Sequence, residues 1–185
     1  MVLTETSATA LGAAAPAFSL RGVDGKNWTL DAARGKNGLV VMFICNHCPY
    51  VKAVREKMIR DARDLAALDV GVIAINSNDP RDYPEDSFEN MQRVAREFGY
   101  PFPYVFDETQ AVAKSYDAVC TPEFFGYDKD LKLRYHGRLD ASGRSPDSNA
   151  RRELFNAMTQ IARNGLAPAE QHPSIGCSIK WAKRG

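Results

Sequence analysis

Two stretches of the chain are apolar without a break, Gly38-Leu39-Val40-Val41-Met42-Phe43-Ile44 and Val70–Ile75. A strand with one wet face alternates polar and apolar residues; unbroken runs of this length mark strands buried on both faces. Between them Val51, Val54, Met58, Ala62, Leu65 and Ala66 recur at three- and four-residue spacing, with Lys52, Arg55, Glu56, Arg60 and Asp64 opposite. The spacing predicts an amphipathic helix joining two parallel strands. A second stripe, Phe88, Met91, Val94, Ala95 and Phe98, stops at Gly99, with Asp86 or Ser87 placed to cap its start. Pro103–Phe106 reads as a short strand and Thr109–Tyr116 as a short helix. Glu123–Tyr127 and Leu131–Gly137 form a hairpin turning at Asp128-Lys129-Asp130, and Leu154, Ala157, Met158 and Ile161 give a last helix ended by Asn164-Gly165. Ahead of the first run, Ala17–Leu20 and Trp28–Leu30 flank Gly22-Val23-Asp24-Gly25 and read as another hairpin. The order predicts an α/β fold: a central mixed sheet with helices on both faces, an N-terminal hairpin extension and a C-terminal tail. Residues 1–15 are expected to be a loose arm, 16–165 the domain, and 166–185 a tail packed on it.

Charge narrows the partners. The 24 basic and 23 acidic residues are interspersed and nearly cancel, so nothing resembles the basic field that holds a phosphate backbone, and nucleic acid is not an expected partner. Lys180, Lys183 and Arg184 beside Trp181 read as a solvated terminus. No apolar run approaches the ~20 residues that span a bilayer. The first basic residue is Arg21 and the start is rich in alanine, which is not the pattern of a secretory signal. The expected location is the cytoplasm, where a close pair of cysteines points to redox chemistry or metal rather than to a structural disulfide.

That pair is Cys45-Asn46-His47-Cys48, directly after the first buried strand and before the amphipathic helix. Unpaired N–H groups and the helix dipole at this place stabilise a thiolate. Cys45 is the expected exposed nucleophile, and Cys48, one turn on, the thiol that resolves the mixed disulfide. Pro49 suits a first helical turn. His47, with Asn46 beside it, is placed to modulate the Cys45 thiolate. Structural zinc would need two more ligands, and Cys120, His136, His172 and Cys177 are scattered.

The chain resembles the thioredoxin superfamily, in particular its peroxiredoxin-like branch of alkyl hydroperoxide reductase and thiol-specific antioxidant proteins. The resemblance is carried by Ala15-Pro16-Ala17-Phe18, Phe43 to Val51, Val119-Cys120-Thr121-Pro122-Glu123-Phe124-Phe125 and the ending Pro173 to Trp181. It implies a thioredoxin fold, a cis peptide at Pro122 facing the cysteine pair, and backbone groups on Thr121 that receive an extended substrate. Two departures stand out. Thioredoxins carry a buried acid in the strand before the pair, whereas Leu39 to Ile44 are all apolar and leave the general base for Cys48 unassigned. Peroxiredoxins place a Pro and a Thr seven and three residues before the cysteine that aligns with Cys48; here those places hold Val41 and Cys45.

These readings favour a thiol-disulfide oxidoreductase that cycles Cys45 and Cys48 with no organic cofactor. Its partners are a disulfide or peroxide substrate, protein or small molecule, and an external thiol reductant. A thiol-dependent peroxidase is one alternative; a copper- or zinc-binding or redox-sensing module on Cys45, Cys48 and His136 is another. Cys120 and Cys177 are candidate additional redox thiols, Cys177 as one that reaches Cys45 or Cys120.

Overall fold

The computed structural model describes residues 3–5 and 10–183. In chain order the elements are β1 (Leu3–Glu5), β2 (Ser19–Gly22), β3 (Asn27–Thr29), α1 (Leu30–Ala33), β4 (Gly38–Phe43), α2 (Pro49–Ala66) and β5 (Val70–Asn76). A single 3-10 turn, Pro84–Asp86, leads into α3 (Phe88–Glu97), β6 (Tyr104–Phe106), α4 (Ala111–Ser115), β7 (Cys120–Thr121), β8 (Glu123–Tyr127), β9 (Leu133–Gly137), α5 (Glu153–Asn164) and β10 (Ile175–Ser178).

Seven strands form one mixed sheet in the order β3-β2-β6-β5-β4-β8-β9. β4 lies at its centre, parallel to β5 and antiparallel to β8, and every residue of it is buried. Its side chains divide by parity, as a pleated strand requires. Val40 and Met42 pack with α2, α3 and α5 through Val51, Met58, Met91, Leu154 and Met158, while Leu39, Val41 and Phe43 pack on the other face with Val112, Tyr116 and Phe125. α2 is the crossover between the two parallel strands, as its periodicity predicts. Ser87 caps α3, accepting a hydrogen bond from the Asn90 amide, which leaves Asp86 available for another task.

The N-terminal hairpin closes at Gly25, whose φ of +81° no side chain favours, and β2 pairs onward with β6, so the extension is an integral edge of the sheet. The arm expected to be loose is pinned wherever it is described. β1 pairs with β10, Gly12 and Ala15 donate backbone hydrogen bonds to Leu133 and Leu131, and Leu133 donates to Ala13; residues 6–9 lie outside the described residues. The physical reason is that β9 and β10 each present an unpaired edge, and the arm satisfies both.

β7, β10 and β1 form a second, three-stranded sheet at the carboxyl end of β4. No helix of the described residues is long and apolar enough to cross a membrane.

Candidate active site

The chain leaves β4 at Phe43 and turns through Ile44, Cys45, Asn46 and His47 before Cys48 caps α2, with Pro49 in the first turn. Here the backbone amides of a helix start lie beside the ends of parallel strands. Opposite stands the cis Thr121–Pro122 peptide, as the resemblance implies. Thr121 touches both cysteines: its Oγ1 lies 3.3 Å from Cys45 Sγ, and its carbonyl oxygen lies 3.2 Å from Cys48 Sγ.

The two thiols are not equivalent. The Cys45 hydrogen bond, the Cys177 thiol, and the amides of Val51 and Cys177 pull the Cys48 thiol down to about 5, against the opposing effect of burial. Cys45 is pushed well above the ordinary thiol range by burial first, then by its hydrogen bond to Cys48 and by the negative charge of Asp86. The expected assignment of Cys45 as the exposed thiolate is therefore corrected for this arrangement. Both thiols are buried; Cys45 keeps its proton because burial raises it most, and the charge falls on Cys48 because the hydrogen bond from Cys45, ahead of those from Cys177 and the Val51 amide, stabilises it there.

Asp86 organises the turn. Wholly buried, it accepts from the Asn46 amide at 2.7 Å, from His47 Nδ1 at 2.6 Å and from Asn78 Nδ2 at 2.7 Å. His47 is expected to modulate the Cys45 thiolate, but its Nδ1 is committed to Asp86 while its ring stacks on Tyr83, leaving Nε2 buried and without a hydrogen-bond partner among the described residues. Asn46 bridges the Glu85 carbonyl and the Tyr104 hydroxyl, so both residues shape the loop rather than touch the sulfurs. The sequence offered Asp86 only as a helix cap. It lies ten residues beyond the end of β5, in the turn Pro84–Asp86, and is drawn back to the strand end by the hydrogen bond its carbonyl accepts from Asn76 Nδ2, which no local pattern signals.

Glu123 is a second buried acid. It accepts from the amides of Val119 and Cys120 and from His136 Nε2 at 2.8 Å, and the His136 ring stacks on Phe125. His136 is thereby committed to Glu123, and the metal set Cys45, Cys48 and His136 is not assembled. Among the described residues, the grouping whose ligand atoms lie within 4.8 Å of one another is Cys45, His47 and Asp86.

Cys120 is buried, its sulfur 4.0 Å from the Pro122 carbonyl. Cys177, expected as a thiol that reaches Cys45 or Cys120, lies against the other member of the pair: its Sγ is 2.8 Å from Cys48 Sγ. The backbone edge of Thr121, which the resemblance reserves for a substrate, is taken by the chain itself, since β10 pairs antiparallel with β7 and sets Cys177 opposite Thr121.

Comparison with known proteins fits this geometry. An uncharacterized conserved protein from Geobacillus kaustophilus is 47% identical, with a TM-score of 0.94 over 100% of this chain and 99% of that one. The thioredoxin domain of a thiol-disulfide oxidoreductase from Bacteroides vulgatus, 17% identical with a TM-score of 0.62 over 84% of this chain and 99% of that one, shares the fold. The thiol-disulfide oxidoreductase ResA of Geobacillus thermodenitrificans (strain NG80-2) is 28% identical over 131 residues, 71% of each chain. The model of the AhpC/TSA family matches residues 11–136, and the chain, with its thioredoxin fold, belongs to that family.

Proposed function

We propose that the protein is a thiol-disulfide oxidoreductase in which Cys45 and Cys48 alternate between dithiol and disulfide. The observation that carries this reading is the placing of both sulfurs at the start of α2 against one residue, Thr121 of the cis Thr121–Pro122 peptide, 3.3 Å from Cys45 Sγ and 3.2 Å from Cys48 Sγ. The likeness to ResA supports it.

Cys48 takes the Cys45 proton along the shared hydrogen bond, and the Cys45 thiolate attacks one sulfur of a disulfide, expelling the other as a thiolate. Cys48 then gives its proton to solvent and attacks the Cys45 sulfur, forming the internal disulfide and releasing the second thiolate. Two electrons pass to the substrate, and an external thiol reductant returns them. The substrate is a protein or small-molecule disulfide. The cytoplasm, where thiol reductants are abundant, is the compartment that belongs with this proposal.

A lowered Cys48 thiol also favours a second reading, thiol-dependent peroxide reduction, because the thiolate is the form that attacks peroxide. Against it, the Thr121 hydroxyl stands beside Cys45, not Cys48.

The test is thiol trapping of the purified protein across glutathione and dithiothreitol buffers. A reversible two-electron transition that forms a Cys45–Cys48 disulfide supports exchange, and absence of that disulfide at every potential rejects it. Peroxide-dependent turnover with a thiol donor would favour the second reading.

A further inference from the structure

Residues 172–182 cross the site as a strap fastened at both ends. Before it reaches the cysteines, the His172 carbonyl accepts from the Arg138 amide, and Ser174 Oγ donates to the Gly137 carbonyl at 2.6 Å. Beyond them, the Ile179 amide donates to Val119, the Lys180 amide to Asn78 Oδ1 and the Ala182 amide to Gln110 Oε1, while the Lys180 carbonyl accepts from Gln110 Nε2. Ile179 is buried in the core face that holds Val41 and Phe43. In between, β10 lies so close to the cis peptide that a Cβ on Gly176 would stand 2.1 Å from the Thr121 carbonyl oxygen and 3.2 Å from Pro122 N. The strap is built to bring the next residue, Cys177, to Cys48, and their sulfurs are 2.8 Å apart although 129 positions separate them in sequence.

We propose that Cys177 is a third redox thiol, which exchanges into the Cys45–Cys48 disulfide to form a Cys48–Cys177 disulfide and so fastens the C-terminal strap covalently over the site. This rests on the dithiol reading above and deepens it. The step needs no added oxidant. Cys177 loses its proton and attacks Cys48 Sγ; the Cys48–Cys177 bond forms as the Cys45–Cys48 bond breaks; Cys45 leaves as a thiolate and takes up a proton. The number of disulfides is unchanged. Burial, followed by the hydrogen bond to Cys48 and its negative charge, pushes the Cys177 thiol up to about 12 in the reduced protein, so it does not compete as a nucleophile while Cys48 is charged. Once Cys48 is in a disulfide that charge is gone, and Cys177 is the neighbouring thiol in contact with the bonded sulfur. The exchange moves the oxidised bond from the loop to the strap and returns Cys45 to its thiol form.

The experiment uses the full chain equilibrated in glutathione buffers, quenched in acid, alkylated and digested with trypsin without reduction. Cleavage at lysine and arginine places Cys45 and Cys48 together on residues 37–52, Cys120 on 115–129 and Cys177 on 164–180. The expected result is two oxidised products: fragment 37–52 lighter by two hydrogens, and 37–52 joined to 164–180. In Cys45→Ser the joined product becomes the only internal disulfide. In Cys177→Ser it is lost, while the internal Cys45–Cys48 form remains. If the wild-type 164–180 fragment stays fully alkylated at every potential that oxidises 37–52, or joins 115–129 instead, the proposal is overturned. Failure of the dithiol reading shows differently, as the absence of the two-hydrogen loss from 37–52 in Cys177→Ser.

Discussion

Asp86 and Glu123 are both wholly buried carboxylates, and each holds one histidine and at least one backbone amide, yet they do different things. Asp86 grips the turn that carries the cysteines, and its charge is among the influences that raise the Cys45 thiol. Its histidine, His47, lies at the rim and stacks on Tyr83. Glu123 grips the approach to the cis peptide through Val119 and Cys120, and its histidine is sealed against Phe125. Asp86 thus acts on the cysteine pair through its charge, which opposes ionisation of Cys45. Glu123 braces the backbone through the hydrogen bonds it accepts from Val119, Cys120 and His136.

Mutation can break that contrast. Glu123→Ala strands two amides and a ring nitrogen in the interior and should cost about 3–5 kcal/mol in chemical denaturation. An effect under about 1 kcal/mol would show that Glu123 is no brace. Asp86→Asn keeps the shape and removes the charge. The Cys45 titration, followed by thiolate absorbance, should move down, whereas Glu123→Gln should leave it in place; equal movement would erase the distinction.

Acidity sharpens the picture further. Alkylation of Cys48 in the reduced protein should rise as pH passes about 5 and level off well below the ordinary thiol value of 9.0. The same shift sets the sign of the pH dependence of stability. A thiol lowered by folding adds stability that is complete above 9.0 and is lost as pH falls through 5, whereas Cys177, raised to about 12, loses its contribution as pH climbs from 9.0 to 12. Urea midpoints of the reduced protein, after correction for other titrations by comparison with Cys48→Ser, should show the first trend on the acid side. The smallest expected effect is that of His47→Ala, about 1 kcal/mol, because Asp86 retains the Asn46 amide and Asn78. His136→Ala should cost roughly three times as much.

The central strand, its crossover helix and the place of Cys45 and Cys48 between them are legible in the sequence because periodicity and spacing are local. Val51 to Leu65 announce their buried face without reference to any other segment. β10 announces nothing: Ile175-Gly176-Cys177-Ser178 is too short for a pattern, and its burial comes from partners near residue 121 and at the N-terminus. Asp86 fails for a related reason. Next to Ser87 it looks like a cap, and its true partners, Asn46 and His47, lie 40 and 39 positions away. A tail that ends in a few apolar residues could be expected to pack, but the sulfur it would meet depends on a strand register that no local pattern encodes.

The glycine at 176 also has a consequence for competition. A foreign strand seeking the Thr121 edge must displace an occupant tethered to the same molecule, whose effective concentration is on the order of millimolar for a short connection. It must also bring a residue without a β-carbon if it is to adopt the same register. Affinity of the edge for free peptides, as seen by a titration, is therefore discounted by that internal rival. Gly176→Ala, by unseating the rival and leaving the edge vacant, should strengthen the binding of an outside strand rather than weaken it.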